Sequence, residues 1–372
     1  MKILHLTTAL DFGGVERCLQ VIAEEGIGGA EEHIFASLGS GGATERAISR
    51  TGSKVHCLDL EPSVYSLPTL YATYRFLLRL RPDVVHTHGC EANFHGLLAA
   101  WLARITVRVG EEIGIPEHRW KSRLIFRGVY RSAHAVVAVS EAVKRWLITS
   151  REVRPEKIAV IDNPVRLHES GMRQSTAIDG PIRIGFVGRL VREKNLLALL
   201  DALALVQRRG RSFQLIVVGE GPARWELEGK VRSLKLSPCV EFVGFQQTPA
   251  EWLRFCDVFV LPSCSEGFGL ALVEAMALGL PALVTPVGIA EEVVHDGVSG
   301  WIAKSSEVAD LAEKLDQALE CPRSVLLQMG EMARAMVRSR YSPDRYMREL
   351  HCLYQSLCGA AGDQAERTLA GG

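Results

Sequence analysis

Glu266 and Glu274 flank a Gly-x-Gly turn in the segment Ser-Glu-Gly-Phe-Gly-Leu-Ala-Leu-Val-Glu, and two cations, Arg189 and Lys194, follow Gly188 closely in the chain. A carboxylate in a loop accepts hydrogen bonds from hydroxyls, and the N-terminus of the helix behind that loop suits an anion such as a phosphate. A guanidinium can grip a phosphate bidentately, and an ammonium acts on it as a point charge. These residue types fit a site for a sugar carried on a phosphate. The plainer reading makes Glu266 a helix cap, Glu274 a solvated residue and Arg189 with Lys194 an ordinary surface loop. Against it, Glu274 stands among Leu270, Val273, Met276 and Ala277 on a helix apolar nearly all round, and a partly buried carboxylate needs partners.

The elements that must hold these residues can be read from periodicity. Val258 to Leu261 is β-branched and aromatic, is stopped by Pro262, and predicts a buried strand; Leu270 to Leu278 predicts a helix, ended by Gly279 and Pro281. Strand-like runs alternate with helical ones from Lys2 to Leu6 onward, at His33 to Ser37, Val55 to Leu58, Val84 to His88, Thr106 to Gly110 and Ala135 to Val139. This is the pattern of parallel βαβ units. It restarts at Ile182 after a polar stretch, so the sequence predicts an α/β protein of two Rossmann-like doubly wound domains facing a central cleft. Residues 1–165, with a crossover helix over 341–358, form the first domain and 181–340 the second; 166–180 is a linker and 359–372 a disordered tail.

Composition narrows the class. With 43 Lys plus Arg against 43 Asp plus Glu, no global field draws the chain to nucleic acid. The nine cysteines form no C-x-x-C pair, so neither a disulfide framework nor a zinc site is indicated and a reducing cytosol is expected. No apolar run reaches the roughly 18 residues of a spanning helix.

Seven motifs in order, Gly13-Gly14-Val-Glu16-Arg17, Val85-His86-Thr87-His88, Val139-Ser140-Glu141, Asn163-Pro164-Val165, Gly188-Arg189 to Asn195, Gly219-Glu-Gly221-Pro222 and Glu266 to Glu274, resemble the GT-B retaining glycosyltransferases of family 4 over about residues 1 to 358. The resemblance implies that Arg189 and Lys194 hold the donor diphosphate in place of a metal, that Glu266 bonds the donor sugar and that Glu274 bonds the ribose. The backbone at Phe268, Gly269 and Leu270 would face sugar and phosphates, with Gly188 and Phe245 counted in the same donor site. The Gly13-Gly14 loop would meet the donor phosphate and the acceptor. Gly219-x-Gly221 does not make a dinucleotide fingerprint, because Pro222 and Arg224 follow it.

The catalytic base stays open. Where many members carry a histidine after the fifth strand, this chain has Glu111 or Glu112; His118 comes six or seven residues later, and His88 ends a strand at the cleft. In a front-face retaining mechanism the departing phosphate can itself take the acceptor proton. The expected function is transfer of a hexosyl or N-acetylhexosaminyl group from a nucleotide-sugar, a UDP-sugar first and GDP-mannose second, to a glycan, lipid-linked or small-molecule hydroxyl, with no cofactor and no metal. The competing readings are a degenerate nucleotide- or glycan-binding subunit and a nucleotide-sugar epimerase. Residues 119–131 hold five basic residues and no acid, with Trp120, Leu124, Ile125, Phe126 and Tyr130 interleaved. They fit either a peripheral contact with the inner membrane face or an ordinary amphipathic helix.

Overall fold

The computed structural model describes residues 1–26, 29, 31–116, 119–165 and 180–370, and the chain separates into two compact units. The first, Met1–Pro164 with the chain from Pro343 onward, contains β1 (Lys2–Thr7), α1 (Gly14–Glu25), β2 (Glu32–Ser37), α2 (Ala43–Arg50), β3 (Lys54–Cys57), α3 (Leu67–Leu80), β4 (Val84–His88), α4 (Cys90–Leu102), β5 (Val107–Glu112), α5 (Trp120–Arg131), β6 (Ala135–Ala138), α6 (Glu141–Thr149) and β7 (Ile158–Val160). Its strands form one parallel sheet in the order β3-β2-β1-β4-β5-β6-β7. The second, Val165–Ser342, contains β8 (Ile182–Val187), α7 (Leu196–Arg208), β9 (Phe213–Val218), α8 (Arg224–Ser233), β10 (Val240–Gly244), α9 (Ala250–Leu253), β11 (Val258–Leu261), α10 (Leu270–Ala277), β12 (Ala282–Val284), α11 (Ala290–Val293), β13 (Gly300–Ile302), α12 (Val308–Glu320) and α13 (Arg323–Arg338). Its sheet is parallel in the order β10-β9-β8-β11-β12-β13. The last helix, α14 (Pro343–Ala370), packs on β5 and α1 of the first unit.

Both sheets are covered by helices on both faces, so their central strands are buried on both sides, and β11 of the second sheet is apolar without alternation. Val258, Phe259, Val260 and Leu261 are all at most 2% exposed. Helices α3 and α6 start where a side chain satisfies a free N–H group: Ser66 accepts from the Thr69 N–H before α3, and Ser140 from the Val143 N–H before α6. On the core side of the first sheet, Ile3, Phe35, Val84, Val107 and Val109 pack against Leu19 and Ile22 of α1 and against Tyr346, Leu350 and Tyr354 of α14.

Two expectations change. Helix α14 runs on to Ala370, where a disordered tail from 359 was expected. Ala360, Ala361, Gln364, Ala365, Glu366 and Arg367 are good helix formers, and no proline interrupts them. Strand β5 ends at Glu112, not at Gly110, because Glu111 and Glu112 pair in register with Val137 and Ala138 of β6. Residues 166–179 of the expected linker lie outside the described residues.

In each sheet the chain turns outward from one strand in one direction and returns in the other. Those switch points fall between β1 and β4 and between β8 and β11, and beyond the carboxyl ends of such strands the diverging loops leave room for a ligand.

Candidate active site

The loops after β8 and β11 flank the second sheet's switch point and carry the residues that the sequence singles out. After β8, Gly188 leads to exposed Arg189 and, through a short 3-10 turn, to Lys194. Asn195 takes the left-handed conformation at φ 55° and starts α7, its side-chain amide donating to the Ser306 carbonyl at 2.9 Å. After β11, Glu266 reaches back: Lys194 Nζ lies 2.5 Å from Glu266 Oε1, and the Ser263 hydroxyl donates to the same oxygen at 2.7 Å. The two loops are also tied through their backbones, the Cys264 N–H donating to the Glu193 carbonyl at 2.8 Å.

Several residues that the sequence reading passed over hold this arrangement. The Thr285 hydroxyl donates to the Ser263 carbonyl at 2.6 Å, and the Ile289 N–H donates to the Phe268 carbonyl at 3.1 Å, so the loop after β12 braces the Glu266 loop from below. Gly288, at φ 59°, permits that approach: a Cβ there would stand 2.4 Å from the Phe268 oxygen. Gly219 does the same between β8 and β9, since its Cβ would meet the Gly188 oxygen at 1.9 Å. The Gly219-x-Gly221 pair is therefore a packing device for the Arg189 loop. Its only signal in the sequence was the glycines themselves.

Gly269, at φ 104°, is the N-cap of α10 and brings no side-chain cap to the helix, whose first turn starts at Leu270. The Phe268 ring is buried, edge-on to Tyr341, so only its backbone is available to a ligand. Glu274 is half-buried one turn into α10. Phe245, 47% exposed, follows β10 at the same carboxyl edge of the sheet. Arg189, Lys194, Glu266, Gly188, Phe268, Gly269, Leu270, Glu274 and Phe245 thus all belong to loops and helix starts at one edge of the second unit's sheet.

In the first unit, Gly13 is the N-cap of α1 and Gly14 its first residue, both exposed. The Glu16 carboxylate folds back over that N-terminus, where a Cβ on Gly13 would lie 2.3 Å from its Oε2. Burial raises the Glu16 carboxyl from its ordinary value, and Asp11 adds to the rise.

The candidate bases are placed differently from expectation. Glu111 lies inside β5 and is 2% exposed, not in a loop beyond it. Its Oε2 is 3.2 Å from His88 Nδ1 and 3.4 Å from His86 Nε2. Burial alone would raise the Glu111 carboxyl, but His88 and His86 outweigh it and hold the group well below the usual carboxylate range. His88 is also 2% exposed, with its Nε2 3.2 Å from His5 Nδ1. Neither group is open to an acceptor. The sequence could not show this, because His5, His86, His88 and Glu111 meet through strand pairing: His5 faces His86 across β1 and β4, and His88 faces Glu111 across β4 and β5. His118 lies outside the described residues.

Helix α5 buries Phe126, Val129 and Tyr130 and exposes Lys121, Arg123, Arg127 and Arg131 together with Trp120 (67%) and Leu124 (59%). The Tyr130 hydroxyl donates to Glu112 Oε2 at 2.7 Å, which fixes the buried side of the helix on β5.

Two parallel doubly wound sheets, the second carrying cationic and carboxylate loops at its switch point, define the GT-B class of α/β proteins. Comparison with known sequences gives the family. The model of Glycosyltransferase Family 4 matches residues 12–169, and that of Glycosyl transferases group 1 matches residues 169–336. The Bacillus subtilis protein EpsF, which carries a glycosyltransferase name, is 33% identical over 259 residues, covering 65% of this chain and 67% of EpsF. The capsular polysaccharide biosynthesis glycosyltransferase CapM of Staphylococcus aureus is 24% identical over 294 residues, 74% of this chain and 77% of CapM. Anabaena Alr3699/HepE, solved in complex with UDP and glucose, superposes with a TM-score of 0.82 at 24% identity, covering 96% of this chain and 100% of that one. The chain belongs to the family 4, group 1 glycosyltransferases and is a glycosyltransferase.

Proposed function

We propose that the protein is a retaining glycosyltransferase that moves a hexosyl or N-acetylhexosaminyl group from a UDP-sugar to a hydroxyl of a glycan, a lipid-linked sugar or a small molecule. The observation that carries this reading is the pairing of Lys194 with Glu266 beside exposed Arg189 and the uncapped start of α10. Four features that could bind a sugar diphosphate thus share one sheet edge.

In this reading a departing diphosphate accumulates negative charge, and fixed cations stabilise it more than they stabilise the ground state. Arg189 takes the phosphates through its planar fork, and Lys194 turns from Glu266 toward the phosphate oxygens as the donor enters. Glu266, released from Lys194, accepts hydrogen bonds from the sugar hydroxyls, and Glu274 accepts from the ribose. Arg189 and Lys194 act in place of a metal, so turnover persists in EDTA. The phosphate oxygen that leaves the anomeric carbon takes the acceptor proton, which agrees with the burial of Glu111 and His88. The neighbour solved with UDP and glucose supports a UDP-sugar donor, and CapM, named for capsular polysaccharide biosynthesis, supports a glycan acceptor.

The enzyme works in the cytoplasm. The cationic face of α5, with Trp120 and Leu124 exposed, rests on an anionic membrane surface where a lipid-linked acceptor would be met. No helix among the described residues is long and apolar enough to cross a membrane. Co-sedimentation with anionic vesicles at low salt tests that contact, and no binding refutes it.

Incubation with labelled UDP-sugars and candidate acceptors, followed by NMR of the product, tests the activity. Free UDP and a product of unchanged anomeric configuration are expected. An inverted product refutes the retaining mechanism. Binding of UDP-sugar without transfer would favour the non-catalytic reading, and an altered donor the epimerase.

A further inference from the structure

Glu266 sits in a loop that is tied down on both sides, and its two carboxylate oxygens are treated unequally. Both of its protein contacts go to Oε1, from Lys194 Nζ at 2.5 Å and from the Ser263 hydroxyl at 2.7 Å. Among the described residues no hydrogen bond reaches Oε2, although the side chain is only 10% exposed. A carboxylate oxygen sheltered in this way needs donors, and the hydroxyls of a sugar are donors.

Ser263 has little freedom of its own. It is fully buried, and its peptide bond to Cys264 is held from two directions: the Ser263 carbonyl accepts from the Thr285 hydroxyl at 2.6 Å, and the Cys264 N–H donates to the Glu193 carbonyl at 2.8 Å. A peptide group is planar, so bonds to both of its polar groups fix its orientation. Thr285 is 1% exposed and follows β12, and its N–H donates to the Leu261 carbonyl at the end of β11, the neighbouring strand. Beyond Glu266, the Phe268 carbonyl accepts from the Ile289 N–H at 3.1 Å. The reference for the whole loop is therefore the sheet itself.

The carboxylate would not hold its direction alone. The last torsion of a glutamate is broad and roughly two-fold, so a partner must fix the carboxylate plane. Lys194 is not that partner once the donor is bound, because it turns to the phosphates. Ser263 remains. Its hydroxyl has one proton to give, that proton goes to Oε1, and Oε2 is the oxygen left to meet the sugar.

We propose that Ser263, steadied by Thr285, is a positioning residue that sets donor-sugar selectivity. It fixes the Glu266 carboxylate so that Oε2 accepts from a hydroxyl in one pyranose and not from the displaced hydroxyl of its epimer. The inference rests on Glu266 bonding the donor sugar. A site built to bond a hydroxyl rejects an analogue that does not supply it, provided the acceptor group is held in place.

Calorimetry on the full chain tests this without any acceptor, using UDP, UDP-glucose, UDP-galactose and the N-acetylamino counterparts of both sugars. The wild type should prefer one member of an epimer pair. Ser263→Ala should bind the preferred UDP-sugar about tenfold more weakly and lose a comparable factor of preference over the epimer, while its affinity for UDP stays unchanged. Thr285→Val, which keeps the volume and removes the hydroxyl, should shift both quantities in the same direction by a smaller factor, and Thr285→Ser should behave as the wild type. Equal losses for UDP and UDP-sugar in Ser263→Ala would mean that Ser263 only supports the loop, and would overturn the proposal. Wild-type affinity and preference in Ser263→Ala, or a wild type that does not distinguish the epimers, would overturn it as well. Glu266→Gln separates the two levels. Selectivity lost in Glu266→Gln but kept in Ser263→Ala defeats the role of Ser263 alone, whereas wild-type UDP-sugar binding in Glu266→Gln defeats the donor-sugar reading of Glu266 and the proposal with it.

Discussion

Replacing Lys194 by Met keeps the stem packed and removes the ammonium, and its two consequences can be separated. Lys194 Nζ lies 2.5 Å from Glu266 Oε1, and the two side chains are 22% and 10% exposed, so the pair is largely shielded from solvent. Without the ammonium, Glu266 keeps the Ser263 hydroxyl at 2.7 Å but loses its charged partner. Losing a hydrogen bond between charged groups costs about 1.5–3 kcal/mol. For a domain of this size that lowers the melting temperature by roughly 3–12 °C. Turnover should fall by about 10²-fold or more, as when a preorganised charge-stabilising group is removed. Adding Glu266→Gln to Lys194→Met neutralises the stranded carboxylate, so stability should recover while turnover should not. Thermal unfolding and a UDP-release assay on the four proteins of this cycle measure both effects. Near-normal turnover in Lys194→Met would refute the role given to Lys194, and a double variant less stable than Lys194→Met would refute the energetic account of the pair.

Glu274→Ala should weaken UDP binding by about 1.5–3 kcal/mol, roughly a factor of 10 to 150, and unchanged affinity by calorimetry would exclude a ribose contact. Gly219→Ala should destabilise the second unit by about 2–5 kcal/mol in urea unfolding, because the added Cβ would stand 1.9 Å from the Gly188 oxygen at φ 141°; wild-type stability would show that the loops can part cheaply. His134 should titrate near 4, because burial and then Arg108 lower it to about 4 and its Nδ1 accepts the Arg108 backbone N–H at 3.1 Å. A base whose folded pKa is depressed favours the native state while neutral, so this contribution is intact above about pH 6.5 and is lost as pH falls from there toward 4. NMR titration of the ring giving an ordinary value would contradict it.

How much was legible follows from where each signal lies. Val258 to Leu261, Pro262, Gly269 and Gly279 are neighbours in the chain, and strand, turn, helix and stop could be read from residue types over a short window. The same holds for Gly188, Arg189 and Lys194. The contact of Lys194 with Glu266 could not be read, since it depends on β8 and β11 being adjacent in the sheet. The end of β5 was misjudged because two glutamates resemble a loop; they stay in the strand because β6 pairs with them and because His88 and Tyr130 meet their carboxylates. The cluster of His5, His86, His88 and Glu111 was invisible for a related reason. Its members come from β1, β4 and β5, and only strand register brings them together.

Hydrogen-exchange mass spectrometry with and without UDP tests most directly the claim that the loops after β8 and β11 form the donor site. Saturating UDP should slow exchange in 188–195 and 262–274, and Lys194→Met should lose that protection at the same UDP concentration. Protection confined to other segments, or no protection by UDP at any concentration, would contradict the account.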